Sequence, residues 1–389
     1  MRNTVYIIEL NMPDAGARDI HAVRMGKALR LAGLDPVLLV EEDEGLAQDR
    51  QADGSYRHEG ILYIPIGRSN SQGKLLRRIG VFLGVGNPSL CYIQNQPILP
   101  LAVIAPAPKS FLFLRVWHWC RRNGVGFIPE DVEWLNRADT GGLIYWLDME
   151  IRMRILQRMQ KKIIVNNAFL ERYYKLAGCQ VFRLPSLLDT RDAKWMPRTR
   201  GTDDSDLRLV FAGSPARDRQ DLILGAISAA RREGINVTIQ YVGCSRSRIQ
   251  EKLPSKSLLD QLGNAVVFHG RVPIEQVPEI MGQADYTVLL REDARWSRAS
   301  FPSKVPEFFS LGIPCICNLT GNMGEYMNDG QEAFLVTDLT EQAFLTQIRR
   351  AVAAKGEVRA RMGIMARKRA EASFDIQCFA KPLADFIRQ

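Results

Sequence analysis

Short apolar runs alternate with longer amphipathic stretches along the whole chain. In the first half the runs are Val5–Glu9, Pro36–Val40, Ile61–Pro65, Leu90–Gln94, Val125–Pro129, Lys162–Val165 and Val181–Leu184. Most are short, β-branched and followed by Gly, Asn or Pro, the pattern of strands buried in a parallel sheet. Helical patterns separate them, as over 17–32, where Ala22, Met25, Ala28, Leu29 and Ala32 share a face and Gly33 supplies a stop. The periodicity lapses over 191–206, a polar stretch containing Pro and Gly that reads as a linker. It resumes with predicted strands at Leu209–Phe211, Val237–Val242, Val266–His269, Tyr286–Leu290, Pro314–Cys317 and Ala333–Val336. The expected architecture is α/β: two doubly wound, Rossmann-like domains facing a cleft, spanning 1–190 and 207–372. A final helix within 373–389 is expected to return to the first domain.

Composition narrows the class. A chain of 389 residues with 46% hydrophobic and 24% charged residues suits two globular domains and argues against a mainly disordered protein. Its 7 Cys are scattered and none has metal-ligand spacing, which reads as reduced thiols in a cytoplasmic protein. The N-terminal stretch carries Glu9 and Asn11 and reads as a first strand rather than a signal peptide. The longest apolar region, 90–114, is broken by Pro and Asn and is no transmembrane helix.

In open α/β sheets ligands bind beyond the carboxyl ends of strands, which directs attention to three loops. The first, Asn11 to Arg18, offers Gly16 for close backbone approach, with Asp19 and His21 on the helix behind it. An ordinary βα turn has the same spacing. The second, FAGSPARDRQD, offers Gly213 and Ser214 as backbone donors and Arg217 and Arg219 as cationic forks for phosphate oxygens. In the third, Ser303 and Lys304 open a helix and Glu307 follows one turn later. A carboxylate there can accept from a vicinal diol such as ribose, although Lys304 and Glu307 also suit an exposed i,i+3 pair. Neither a dinucleotide fingerprint nor a P-loop is present.

The run FPSKVPEFFSLGIPCI, preceded by VVFHGRVPIEQVPEIMGQADYTVLL and followed by NMGEYMNDGQEAFLV, resembles the donor-binding half of GT-B glycosyltransferases. It is most like glycosyltransferase family 4. FAGSPARDRQD looks like that family's phosphate-binding turn, and GVGFIPEDVEW with KKIIVNNAFLERYYKLAGCQVFRLPSLLD resembles the acceptor domain of bacterial polysaccharide enzymes. The resemblance implies a GT-B fold and transfer of a sugar from a UDP- or GDP-linked donor, with no cofactor. The acceptor would be a lipid-linked saccharide or oligosaccharide of the bacterial cell envelope. It makes Glu307 the ligand of the ribose hydroxyls, sets Arg217, Arg219 and Lys304 on the diphosphate, and passes Gly270 and Arg271 by the base. The family pattern of Glu, seven residues, Glu has Ala299 at its first position, which leaves the donor sugar and the retaining outcome open.

The departing nucleoside diphosphate gathers negative charge, which Arg217, Arg219 and Lys304 can stabilise without a metal. Asp204-Ser205-Asp206 matches a metal-binding DxD by letters but falls in the linker. An inverting reaction needs a base for the acceptor hydroxyl; Asp131 and Glu133, beyond the strand ending at Pro129, are the candidates, with Asp19 and His21 behind them. A helix cap or salt bridge is an equal reading of Asp131. A GT-B nucleotide-sugar epimerase and a non-catalytic GT-B subunit are the alternatives.

Charge is unevenly placed. The net charge is +9, and between Glu59 and Glu130 there is no acidic residue but eight basic ones: Arg68, Lys74, Arg77, Arg78, Lys109, Arg115, Arg121 and Arg122. No RNP, KH, zinc-finger or basic-zipper pattern supports nucleic acid as the partner. The segment 68–122, with the apolar-basic window Lys74 to Leu83, reads instead as peripheral docking to the anionic inner face of the plasma membrane.

Overall fold

The computed structural model describes residues 3–12, 16–41, 45–67, 86–197 and 206–389. The chain divides into two compact units. The first comprises Met1–Leu187 with Ile376–Gln389, the second Leu188–Asp375.

In the first unit the strands are β1 (Thr4–Leu10), β2 (Asp35–Val40), β3 (Tyr56–His58), β4 (Ile61–Pro65), β5 (Ala102–Pro106), β6 (Gly126–Asp131), β7 (Lys162–Val165) and β8 (Gln180–Arg183). They form one sheet in the order β3-β4-β2-β1-β5-β6-β7-β8, parallel except for the β3–β4 hairpin. The helices are α1 (Ala17–Leu31), α2 (Pro88–Gln94), α3 (Ser110–Asn123), α4 (Leu143–Ile151) and α5 (Ala168–Lys175).

Residues 90–94, predicted as a strand, lie instead in α2. Asn87 caps that helix by accepting from the Leu90 N–H at 3.1 Å, and Pro88 occupies its first turn. The strand between β1 and β6 is β5, fully buried between Pro100 and Pro106.

The second unit holds β9 (Leu207–Ala212), β10 (Val237–Val242), β11 (Val266–Gly270), β12 (Tyr286–Leu289), β13 (Cys315–Cys317) and β14 (Ala333–Leu335). All are parallel, in the order β11-β10-β9-β12-β13-β14. Its helices are α6 (Gln220–Arg232), α7 (Arg246–Gln250), α8 (Leu258–Leu262), α9 (Val277–Gly282), α10 (Arg295–Arg298), α11 (Val305–Ser310), α12 (Glu341–Ala353) and α13 (Glu357–Ser373).

The chain leaves the first unit after Leu187, ahead of the predicted linker 191–206. Residues 188–197 already pack in the second unit, with Leu188 and Trp195 buried against Val210, Val242 and Phe308. Arg367 holds this stretch by donating to the carbonyls of Thr190 and Trp195 at 2.8 and 3.0 Å. Where the chain returns, Leu188 N–H donates to Phe374 O at 2.9 Å and Thr190 bonds Asp375. The last helix, α14 (Ile376–Arg388), belongs to the first unit, where Ile376, Leu383 and Ile387 join the core with Met25 and Leu29 of α1. Each such buried aliphatic side chain contributes about 1.5–3 kcal/mol.

The strand that precedes each reversal of order is β1 in the first unit and β9 in the second. The crevices outside β1/β5 and β9/β12 are therefore the topological switch points at which this architecture receives ligands.

Candidate functional site

In the second unit, three adjacent strands end in glycines with positive φ: Gly213 after β9 (113°), Gly243 after β10 (85°) and Gly270 at the end of β11 (63°). Their backbones interlock: Gly213 N–H donates to Val242 O at 2.8 Å and Gly243 N–H to Gly270 O at 2.7 Å. A Cβ on Gly243 would lie 3.6 Å from the Gly213 nitrogen. L-residues resist this backbone conformation, so the carboxyl edge carries no side chains at these three points and a ligand can approach the backbone closely there. Gly213 and Gly270 were expected here and Gly243 was not. The expectation of Gly213 as a free backbone donor is corrected, since its N–H is used by Val242. Ser214 and Arg271, just beyond β9 and β11, are exposed.

The two arginines of the β9 loop differ. Arg219 makes a bidentate bridge to Asp221, with Nε to Oδ1 at 2.9 Å and a terminal nitrogen to Oδ2 at 2.6 Å, and approaches Glu292 at 3.7 Å. Its charge is compensated by carboxylates in this structure, as that of Lys304 is by Glu307. Arg217 lies over the Trp296 ring, 5.6 Å from the centroid. Between them Asp218 is buried on Arg291 at 3.1 Å; burial pushes its carboxyl up, and Arg291 opposes that rise.

Glu307 sits on α11, 2% exposed, and accepts from Lys304 Nζ at 2.8 Å. The pair is buried on the carboxylate side rather than solvated. Phe308, the next residue, packs beneath Val210 and Val242, which fastens α11 against β9 and β10. Lys304 caps α11 and Ser303 lies half-buried in the turn before it. Ala299, which stands where the family pattern has a carboxylate, is 0% exposed at the end of α10.

In the first unit the switch point is marked by strain. Two non-glycine residues at the carboxyl ends of neighbouring strands have positive φ, Glu9 of β1 (63°) and Ala107 after β5 (46°), each at a cost of about 1–2 kcal/mol. The β1 register shifts at the same place, between Ile7 and Leu10. Glu9 accepts from Asn87 Nδ2 at 3.1 Å. Burial and then repulsion from Glu41 push its carboxyl up to about 7, against the pull of Asn87, Lys109 and Arg18. Such a group is poised to exchange a proton near neutrality. Sequence reading missed it, because Asn87 and Lys109 are distant in the chain.

The two carboxylates that end β6, Glu130 and Asp131, take opposite faces, as strand geometry requires of consecutive residues. Asp131 is 0% exposed, with Tyr174 Oη at 2.7 Å from Oδ2 and Arg152 at 3.5 Å from Oδ1. Burial raises its carboxyl against the pull of Arg152 and Tyr174. Arg152 in turn donates to the carbonyls of Ala107 and Pro108 at 3.1 and 3.2 Å, holding the strained turn after β5. Asp131 is therefore a structural anchor, a correction to its proposed role as base. Glu133 is half-buried two residues beyond the strand.

Glu130, which sequence reading passed over, faces α1, where its Oε1 lies 2.7 Å from His21 Nε2. A carboxylate accepting from Nε2–H fixes the tautomer with the lone pair on Nδ1. Asp19 is likewise corrected: buried, it accepts the N–H groups of Asn11 and Gly16 at 2.9 and 3.2 Å and closes the turn before α1. That contact uses the Gly16 amide, in the turn expected to let the backbone approach a ligand. Of the two acceptor-side candidates on α1, His21 keeps the chemistry of a base. Asp204 and Ser205, with residues 68–85 of the basic segment, lie outside the described residues.

Residues 206–354 match the family model described as Glycosyl transferases group 1. No curated protein matches the chain in sequence. Solved structures match it over nearly its full length. Sucrose-phosphate synthase from Thermosynechococcus elongatus is 15% identical with a TM-score of 0.72, over 100% of this chain and 99% of that one. HepE from Anabaena, in complex with UDP and glucose, is 14% identical with a TM-score of 0.70, over 99% of each chain. WaaG, a glycosyltransferase involved in lipopolysaccharide biosynthesis, is 13% identical with a TM-score of 0.66, again over 99% of each. The chain thus has the fold of the GT-B glycosyltransferases, with a glycosyl transferases group 1 match over residues 206–354 of its second unit.

Proposed function

We propose that the protein is a metal-independent glycosyltransferase of the family 4 type, moving a sugar from a UDP- or GDP-linked donor to a lipid-linked saccharide or oligosaccharide of the cell envelope. The observation that carries this reading is the edge of the second unit: side-chain-free glycines at Gly213, Gly243 and Gly270, with the buried Glu307–Lys304 pair on the adjoining helix. The glycines let a base approach the backbone closely, and Glu307 suits a ribose diol. The UDP and UDP-glucose held by HepE support a nucleotide-sugar donor here.

Bond cleavage leaves charge on the diphosphate. Arg217 and Lys304 stabilise that charge, and no metal is needed for it. On the first unit, His21 oriented by Glu130 binds the acceptor hydroxyl and can hold its proton on Nδ1. Titration calorimetry with UDP and GDP tests the donor half. One of the two should bind, and Glu307→Ala should weaken it about tenfold or more, the worth of hydrogen bonds to a charged group. Binding of neither nucleotide, or unchanged binding in Glu307→Ala, refutes the reading.

One observation favours a second reading, a non-catalytic GT-B subunit: the buried Ala299 leaves the sugar-contacting carboxylate of the family pattern without a counterpart. Nucleotide binding with no turnover of any UDP- or GDP-sugar, with or without envelope extract as acceptor, would select it.

A further inference from the structure

Helix α4 and the turns that continue it to Met159 bury Met149 and Met153 but leave a second apolar stripe exposed. Leu143, Leu147, Ile151, Ile155 and Met159 recur every fourth residue and all are exposed, Met159 by 69%; Ile144 beside them is exposed by 64%. The ionisable residues Asp148, Glu150 and Arg152 are buried instead.

Their burial is enforced by partners from elsewhere in the unit. Asp148 Oδ1 accepts the Ser110 N–H at 3.0 Å, and Glu150 Oε1 accepts from Trp134 Nε1 at 2.9 Å. Arg152 holds the carbonyls of Ala107 and Pro108 and faces Asp131. Turning the helix to hide its apolar stripe would leave these buried charges without partners, so the stripe is fixed outward.

Neighbouring α3 adds exposed Phe111 and Leu114. Over α3 and residues 143–161 every exposed charged side chain is basic: Arg115, Arg121, Arg122, Arg154, Arg158 and Lys161. Exposed apolar residues on two packed elements whose exposed charges are basic are complementary to an anionic lipid surface, into which the stripe inserts while the arginines meet headgroups. A second copy of the chain brings the same cations and a net charge of +9, so like charges would meet.

We infer that the face formed by α3 and residues 143–159 is a membrane-docking surface for anionic bilayers. It goes beyond the donor reading and does not depend on it. It keeps Arg115, Arg121 and Arg122 of the basic segment 68–122 and adds residues 143–159, while the window 74–83 lies outside the described residues.

Co-sedimentation of the full chain tests this with vesicles of phosphatidylcholine alone or mixed with phosphatidylglycerol. Binding to the mixed vesicles should exceed binding to phosphatidylcholine by about tenfold and should fall with salt. The double variant Ile144→Glu/Ile155→Glu should lose about tenfold in vesicle binding, with UDP or GDP binding unchanged. Should that variant fail to fold, Arg154→Gln/Arg158→Gln decides, and should lose the preference for phosphatidylglycerol. The inference is overturned if wild type ignores the mixed vesicles or if the folded variants sediment like wild type. It is also overturned if sedimentation velocity shows a wild-type dimer that Ile144→Glu/Ile155→Glu dissociates, because the face then belongs to a second copy. Nucleotide binding without vesicle binding removes this inference alone.

Discussion

Glu9→Gln isolates a carboxyl that the structure holds near neutrality. The group rises from its ordinary 4.5 to about 7 because burial and the Glu41 carboxylate disfavour its charge more than Asn87, Lys109 and Arg18 favour it. An acid whose affinity for its proton is higher folded than unfolded lends stability that is fully present below about pH 4.5. That stability is lost as pH climbs through about 7, because the unfolded chain ionises first. At about 1.4 kcal/mol for each tenfold change in proton affinity, the full swing is roughly 3 kcal/mol, and about 2–3 kcal/mol with screening by partial solvent contact. Gln keeps the carbonyl that accepts from Asn87 Nδ2 at 3.1 Å and adds no volume, so only the titration is removed. Urea unfolding of wild type and variant should give nearly equal stabilities near pH 4, with the variant more stable by about 2–3 kcal/mol near pH 8. A difference that stays constant between those values would show that Glu9 ionises normally. The proton-exchange role read from its placement at the β1/β5 switch point would then fail as well.

Two further outcomes separate structural from ligand-facing charges. Asp131→Ala should destabilise the first unit by about 3–5 kcal/mol in urea, because it leaves Arg152 buried without its carboxylate; a loss under about 1 kcal/mol would mean the pair is dispensable. Arg217→Ala should weaken UDP or GDP binding about tenfold, whereas Arg219→Ala should change it less than about threefold, since Asp221 already compensates that guanidinium. The reverse order in calorimetry would set Arg219 rather than Arg217 on the donor phosphates.

How much of this was legible in sequence depends on how local the determining contacts are. The parallel sheets were readable because strands buried on both faces are continuous apolar runs, and the candidate loops of the second unit because each lies within a dozen consecutive residues. A five-residue apolar run such as 90–94 does not by itself distinguish strand from helix. The cap at Asn87 and the proline after it decide for helix. The adjacent strand β5 was concealed by Pro100 and Pro106, residues that ordinarily argue against a central strand. Pro106 is tolerated because it stands at the strand's last position, opposite Glu130.

The candidate site of the first unit was far less readable, because its chemistry is assigned by burial rather than by residue type. Glu130 and Asp131 are adjacent acids with near-identical intrinsic properties. Strand alternation sends one toward His21 and the other into the core beneath Tyr174. The same logic governs 143–159: a four-residue apolar repeat announces a face but not which way it points. Direction is set by Ser110, Trp134 and the carbonyl of Ala107, which lie 38, 16 and 45 residues from their partners Asp148, Glu150 and Arg152. Each of those buried polar contacts would cost about 1–3 kcal/mol to abandon, while an exposed aliphatic side chain forgoes a similar 1.5–3 kcal/mol of burial. Asp148, Glu150 and Arg152 are ionisable, and a buried charge stripped of its partner costs more, about 3–5 kcal/mol, so the inward contacts together are comparable to the burial that the outward stripe forgoes.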